Sequence, residues 1–205
     1  MRRARFHLAA ALMTVLLILA PTVPPTASGQ EMSDQDMKMM EMMMKYGTPG
    51  KSHELLKKYV GDWNVDMTMW PKAGAEPMKS QGIMKNELIL EGRFAKCKFE
   101  STMMGMKFAG MEIIGYDLFK QMYATFWIDS MSTAFLITTG KLDSSGKILT
   151  DTGEYPDAMT DGKTMQKLRN VTTFMDDGKI KFEMFMMMPD GQEFKSMEYT
   201  ATRRS

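Results

Sequence analysis

The densest cluster of side chains able to do chemistry is the run DMKMMEMMMKYG, residues 36–47, where six of twelve positions are methionine. Thioethers are soft ligands that select Cu(I) or Ag(I) over harder ions. On a helix Met37, Met40 and Met44 share one face and Met39 and Met43 another, so either set gathers sulfur at ligand spacing. These five are the candidate metal ligands. Cu(I) is the only cofactor the residues suggest, and none is required. The chain carries 27 methionines in 205 residues. Many fall in strand-like runs where they stand in for other apolar side chains. A compositional bias therefore accounts for the cluster as well, as a packing or self-association helix. A third reading is a reversible oxidant sink, because exposed methionine cycles through its sulfoxide.

Other reactive groups are sparse. The two histidines are His7 and His53, and the one cysteine is Cys97. His53, in KSHELL, reads as a helix-start residue. Cys97 alternates with lysines in FAKCKFES, the pattern of a strand residue buried among apolar groups. A single cysteine forbids an internal disulfide, and one histidine with one cysteine falls short of a zinc site. There is no phosphate loop and no nucleophile elbow, and no spacing marks out a carboxylate pair. The residues point away from catalysis, with an uncharacterised enzyme kept as an alternative.

Arg2, Arg3 and Arg5 precede the apolar run from Leu8 to Ala20, which is followed by prolines and the small residues Ala27-Ser28-Gly29. The run is too short to span a bilayer comfortably. This is the layout of a cleaved secretory signal covering residues 1–29. The mature chain is then exported, periplasmic or secreted, with no stable membrane span. Its three arginines lost, the remaining chain is weakly acidic. It has no basic block and no aromatic–basic interleaving, which argues against nucleic acid as a partner.

From Gly61 the apolar period is two. WNVDMTMW puts Trp63, Val65, Met67 and Met69 on one face, and KIKFEMFMMM does the same for Ile180, Phe182, Met184 and Met186. Nine breaks rich in Gly, Asp, Ser and Pro separate such runs: 71–77, 91–92, 104–105, 117–120, 130–132, 144–146, 156–162, 176–178 and 189–191. About ten strands with short connections make an all-β meander of antiparallel neighbours, which closes to remove its edges. The expectation is an up-and-down antiparallel barrel over residues 49–205. Before it come a Met-rich segment at 30–48 and one or two short helices. The first of these covers Asp34 to Lys45, with Ser33 and Asp36 as a capping box, and the second is a helix or turn over His53 to Tyr59.

A closed barrel of this size can enclose a ligand cavity. Alternation nominates Met67, Met69, Phe99, Trp127, Phe182, Met184 and Met186 as apolar lining. Arg93, Tyr116, Asp129 and Arg169 are nominated as polar anchors. Arg169 is placed inward because it shares a strand face with Val171. A filled core with surface charges competes with this reading, and in it Asp129 serves only to cap the turn at 130–132. The expected partner is a small apolar or amphipathic molecule, with self-association through the methionine helix possible.

Gly61-Asp62-Trp63, at the start of the first strand, resembles the Gly-x-Trp entry of lipocalin-type barrels. That resemblance implies a tryptophan plugging one barrel end, with Arg203 or Arg204 lying over it. PGKSHELLKKYVGDW, EGRF, GYD, TFWIDSM, GKLDSSGKILTDTGE and KLRNVTTF, in this order, resemble the bacterial family known as domain of unknown function 1579. The family implies a lipocalin-like barrel and no assigned active site. Haem-binding nitrobindin barrels are also similar in outline. They hold iron through a histidine late in the chain, and this sequence has none after His53, so that site does not carry over.

Overall fold

The computed structural model describes residues 32–204, and the expected signal segment lies outside them. Of the described residues, 32–41 and 42–204 belong to two compact units. Helix α1, Asp34–Gly47, begins at the expected capping box. The Ser33 hydroxyl donates to the Asp36 carboxylate at 2.7 Å and accepts from the Asp36 N–H at 3.2 Å. None of its residues is buried.

Within the second unit, a 3-10 helix at Lys51–Lys58 leads into ten strands. They are β1 (Gly61–Met69), β2 (Met78–Ile89), β3 (Phe94–Met103), β4 (Met106–Asp117) and β5 (Met122–Asp129). Then come β6 (Leu136–Leu142), β7 (Ile148–Pro156), β8 (Met165–Phe174), β9 (Ile180–Met187) and β10 (Glu193–Arg203). Each strand pairs antiparallel with the next, and β10 pairs with β1 to close the barrel. All nine expected breaks fall at the nine connections. Closure leaves no unpaired edge, which is what a meander of this length needs.

One end is plugged. Leu55 and Leu56 of the 3-10 helix, with Tyr59, pack against Trp63, Val65, Ala95, Ile114, Leu149 and Ala201 from the strands. The helix is tied down by Tyr123, whose hydroxyl donates to the Ser52 carbonyl at 2.7 Å. Trp63 is 1% exposed and donates from Nε1 to the Tyr59 carbonyl at 2.9 Å. The Arg203 guanidinium lies 4.3 Å from the Trp63 ring centroid and donates to the Val60 carbonyl at 2.7 Å. Gly61 has φ of +128°, and a Cβ on it would sit 2.5 Å from Arg203 Nη1. The glycine of Gly-x-Trp is thus required both by its dihedral and by the arginine seated against it.

Candidate functional site

Registers decide which residues face in. Met67 sits opposite Ser80 and Tyr199, Phe99 opposite Met84 and Gly110, and Met184 opposite Asn170 and Met197. Met67 and Phe99 are buried, whereas Met69, Trp127, Phe182, Met184 and Met186 face inward and are only half-buried. Towards the plug the inward side chains are sealed: Val65, Ile114 and Leu149 are each 1% exposed. Towards the far end, Met69, Met103, Phe108, Trp127, Leu136, Tyr155 and Met197 all keep accessible surface. Burial therefore falls off along the barrel, from the plugged end to the opposite one.

Trp127 and Asp129 come together. The indole Nε1 donates to Asp129 Oδ2 at 2.9 Å, and Asp129 Oδ1 accepts from the Met131 N–H at 2.8 Å. Asp129 therefore caps the β5–β6 turn and orients the tryptophan at once. The indole lies directly over Gly110, where any Cβ would collide with the ring. Phe182 stacks on Tyr199, with centroids 4.9 Å apart.

Three nominated polar anchors lie elsewhere. Arg169 is on the outer face of β8, because Leu168, Asn170, Thr172 and Phe174 take the inner one. It pairs with Glu193 and rests 4.3 Å from the Phe185 ring. Arg93 belongs to the β2–β3 turn at the plugged end, where it donates to the Gly47 carbonyl at 2.9 Å and to Glu91 at 2.9 Å. Tyr116 is part of the plug, edge-on to His53 and Tyr123. His53 accepts from the Gly50 N–H through Nδ1 at 3.0 Å, and burial lowers its pKa below the usual value. It starts the 3-10 helix, as its sequence context suggests. Cys97 is buried and free, and burial raises its thiol pKa well above normal, leaving it unreactive.

Two inward carboxylates escaped the sequence reading. Glu112 on β4 sits opposite Cys97 and Trp127 in the barrel wall. Burial, with the Asp151 charge added, raises its pKa to about 7. The carboxyl is strongly desolvated, yet Glu112 keeps some accessible surface. Asp151 on β7 is 6% exposed and accepts from Asn170 Nδ2 at 2.8 Å. Burial raises its pKa, while the hydrogen bond from Asn170 holds it back. Period-two counting along GMEIIGY puts Glu112 on the face of Gly110, Ile114 and Tyr116, which was the available signal.

The interior also holds unanswered polar atoms. Ser80 Oγ, Asn86 Oδ1, Ser101 Oγ, Thr138 Oγ1 and Asn170 Oδ1 are buried without a hydrogen-bond partner among the described residues. All five residues lie on inward strand faces. Most buried polar groups in folded proteins are paired with protein or ordered water, so these five are the exceptions within the barrel wall. A groove of about 520 Å³ on the outer wall, bordered by Asn64, Asp66, Gln81, Ile83 and Glu100, lies apart from this chemistry.

The family model of the proteins of unknown function DUF1579 matches residues 48–203. The chain belongs to that family. No curated protein matches it. For this DUF1579 member the site rests on geometry alone: a plugged barrel end, an apolar upper wall, and two carboxylates with orphan acceptors between them.

Proposed function

We propose that this DUF1579 protein is an exported binding barrel that takes up a small apolar or amphipathic molecule through the end opposite the 3-10 helix. One observation carries the reading. The inward methionines and aromatics of the unplugged half, Met69, Trp127, Phe182, Met184 and Met186, keep accessible surface where an ordinary core would be sealed. Methionine is flexible and polarizable, so such a wall adapts to more than one apolar shape.

Native mass spectrometry of gently purified protein is the first test, with an added mass that denaturation removes as the expected result. Uptake of a neutral fluorescent naphthalene probe is the second. Met186→Trp on β9 should narrow the unplugged half and weaken uptake by about tenfold, a loss of about 1.4 kcal/mol. The melting temperature should shift by only a few degrees, on the order of 1 kcal/mol. A wild-type protein with no added mass and no probe uptake would remove the binding reading.

Helix α1 supports a second reading, soft-metal binding, because its methionines are exposed: Met43 is 69% and Met44 65% accessible. Replacing Met37, Met39, Met40, Met42, Met43 and Met44 with leucine preserves helix propensity and apolar bulk while removing sulfur. The expected result is unchanged Cu(I) stoichiometry under anaerobic, reducing conditions, which leaves α1 a packing or association helix. Selective loss of Cu(I) uptake would instead assign the metal site to α1.

A further inference from the structure

The interior acceptors specify what kind of polar end the ligand carries. We propose that the space between Glu112, Asp151, Asn86 and Asn170 binds the ammonium head of an amphipathic primary amine, with its apolar chain lying against the methionine and aromatic wall above. This rests on the binding reading and narrows it.

The first argument is the sign of the site. Asn86 donates its Nδ2 to the Tyr59 carbonyl at 3.0 Å, and Asn170 donates its Nδ2 to Asp151 at 2.8 Å. Both amide nitrogens are thus engaged, and both Oδ1 atoms are left as buried acceptors without donors. Each of these asparagines is 6% exposed. Two carboxylates and two amide oxygens make a set of acceptors facing in from β2, β4, β7 and β8.

The second argument is what the protein does not supply. Among the described residues neither Glu112 nor Asp151 takes part in an ion pair; the ion pairs engage other carboxylates. The charge that bears on Glu112 is that of Asp151, and no charged group is among the causes that act on Asp151 itself, which burial and its hydrogen bonds dominate. No cation is among these causes. Burying unpaired carboxylates is costly and is rarely kept without a partner. An ammonium has three N–H donors and no acceptor, so it answers both the charge and the orphan oxygens.

A metal ion fits less well. Hard divalent cations take six or more oxygens and usually several carboxylates. No group of three or more His, Cys, Asp or Glu is placed to hold one among the described residues. A carboxylate or phosphate head is excluded by charge.

The experiment compares octylamine, octanol and octanoate, which share one chain and differ only in the head, by displacement of the neutral naphthalene probe and by calorimetry. At about pH 8, octylamine should bind about tenfold or more tighter than octanol, because hydrogen bonds to charged groups are the stronger ones. That advantage should shrink towards about pH 5.5, where Glu112 is protonated. Glu112→Gln should lose most of the preference for the amine while still binding octanol. Asp151→Asn, and the double variant, should lose it further. A cooperative melt confirms that each variant is folded before it is titrated, and Glu112→Gln alone suffices if the double variant fails that check. Equal binding of the three compounds would overturn the amine site and leave the binding barrel standing. Preference for the amine that survives Glu112→Gln at full strength would overturn this placement of the head. Failure of all three to bind, with no probe uptake either, would remove both readings.

Discussion

Replacing Trp63 with alanine should destabilise the barrel by about 3–5 kcal/mol, the range for removing a large buried aromatic. Domains of this kind are stable by only about 5–15 kcal/mol in total, so the substitution removes a large share of that margin. The cost has separable parts. Trp63 is almost completely buried, so its ring leaves a cavity bounded by the 3-10 helix and the strand walls. The Tyr59 carbonyl loses the indole N–H but keeps Asn86 Nδ2 at 3.0 Å. The hydrogen-bond part of the loss is therefore small. Arg203 loses the aromatic face beneath its guanidinium, a contact worth about 0.5–1 kcal/mol at an exposed site. Arg203→Ala alone should thus cost about 1 kcal/mol, because the guanidinium also donates to Val60. Trp63→Phe should fall between the two. Urea unfolding of the three variants orders these losses. A Trp63→Ala midpoint indistinguishable from wild type would mean that the plug does not anchor the barrel.

The barrel could be read in advance because its signals are local. Turn residues at nine places and period-two runs between them specify strand number. Short connections then specify antiparallel neighbours. Ser33 and Asp36 mark a helix start within four residues. Strand phase is different, because neighbours distant in sequence decide it. In KLRNVTTF either face carries a mixture: Leu168, Asn170, Thr172 and Phe174 on one, Lys167, Arg169, Val171 and Thr173 on the other. Choosing the face of Val171 put Arg169 inside. Pairing of Asn170 with Asp151 on β7 and Met184 on β9 turns the polar Asn170 and Thr172 inward and sends Val171 out. An apolar-inside rule fails in a barrel whose interior is partly polar. Arg93 failed for a related reason: its anchor is the Gly47 carbonyl, 46 residues upstream. Glu112 and Asp151 were passed over because no spacing along a single segment links them. They lie on β4 and β7, and only closure of the sheet brings their charges within reach of each other.

That pair leads to an expected result with an unusual direction: Glu112→Gln should make the protein more stable at alkaline pH. The usual Glu value is 4.5, and in the fold Glu112 is raised to about 7, mainly by burial. Between those values the folded state holds a proton that the unfolded state has released. Stability therefore is fully present below about 4.5, falls as pH rises, and levels off above about 7. At about 1.4 kcal/mol per pH unit, a rise from 4.5 to about 7 makes the loss about 3–4 kcal/mol. Glutamine resembles the protonated acid in shape and carries no charge at any pH, so the variant should recover about that amount at pH 8 and show a flatter profile from about pH 5 to 8. Asp151 is also raised by burial and adds slope of the same sign. Of the groups with opposite slope, Asp143, held at about 2 by the backbone N–H of Ile148, by Ser145 and by the N–H of Lys147, titrates well below this window, while His53, lowered by burial, acts within it and is common to both proteins, so it cancels in the comparison. Urea midpoints of wild type and Glu112→Gln, measured across that range, give the comparison. Parallel curves would mean that water reaches the Glu112 carboxyl freely in the folded state. The expected divergence would mean that the barrel keeps an ionisable group at a cost to its own stability, the trade commonly found where binding or catalysis has shaped a site.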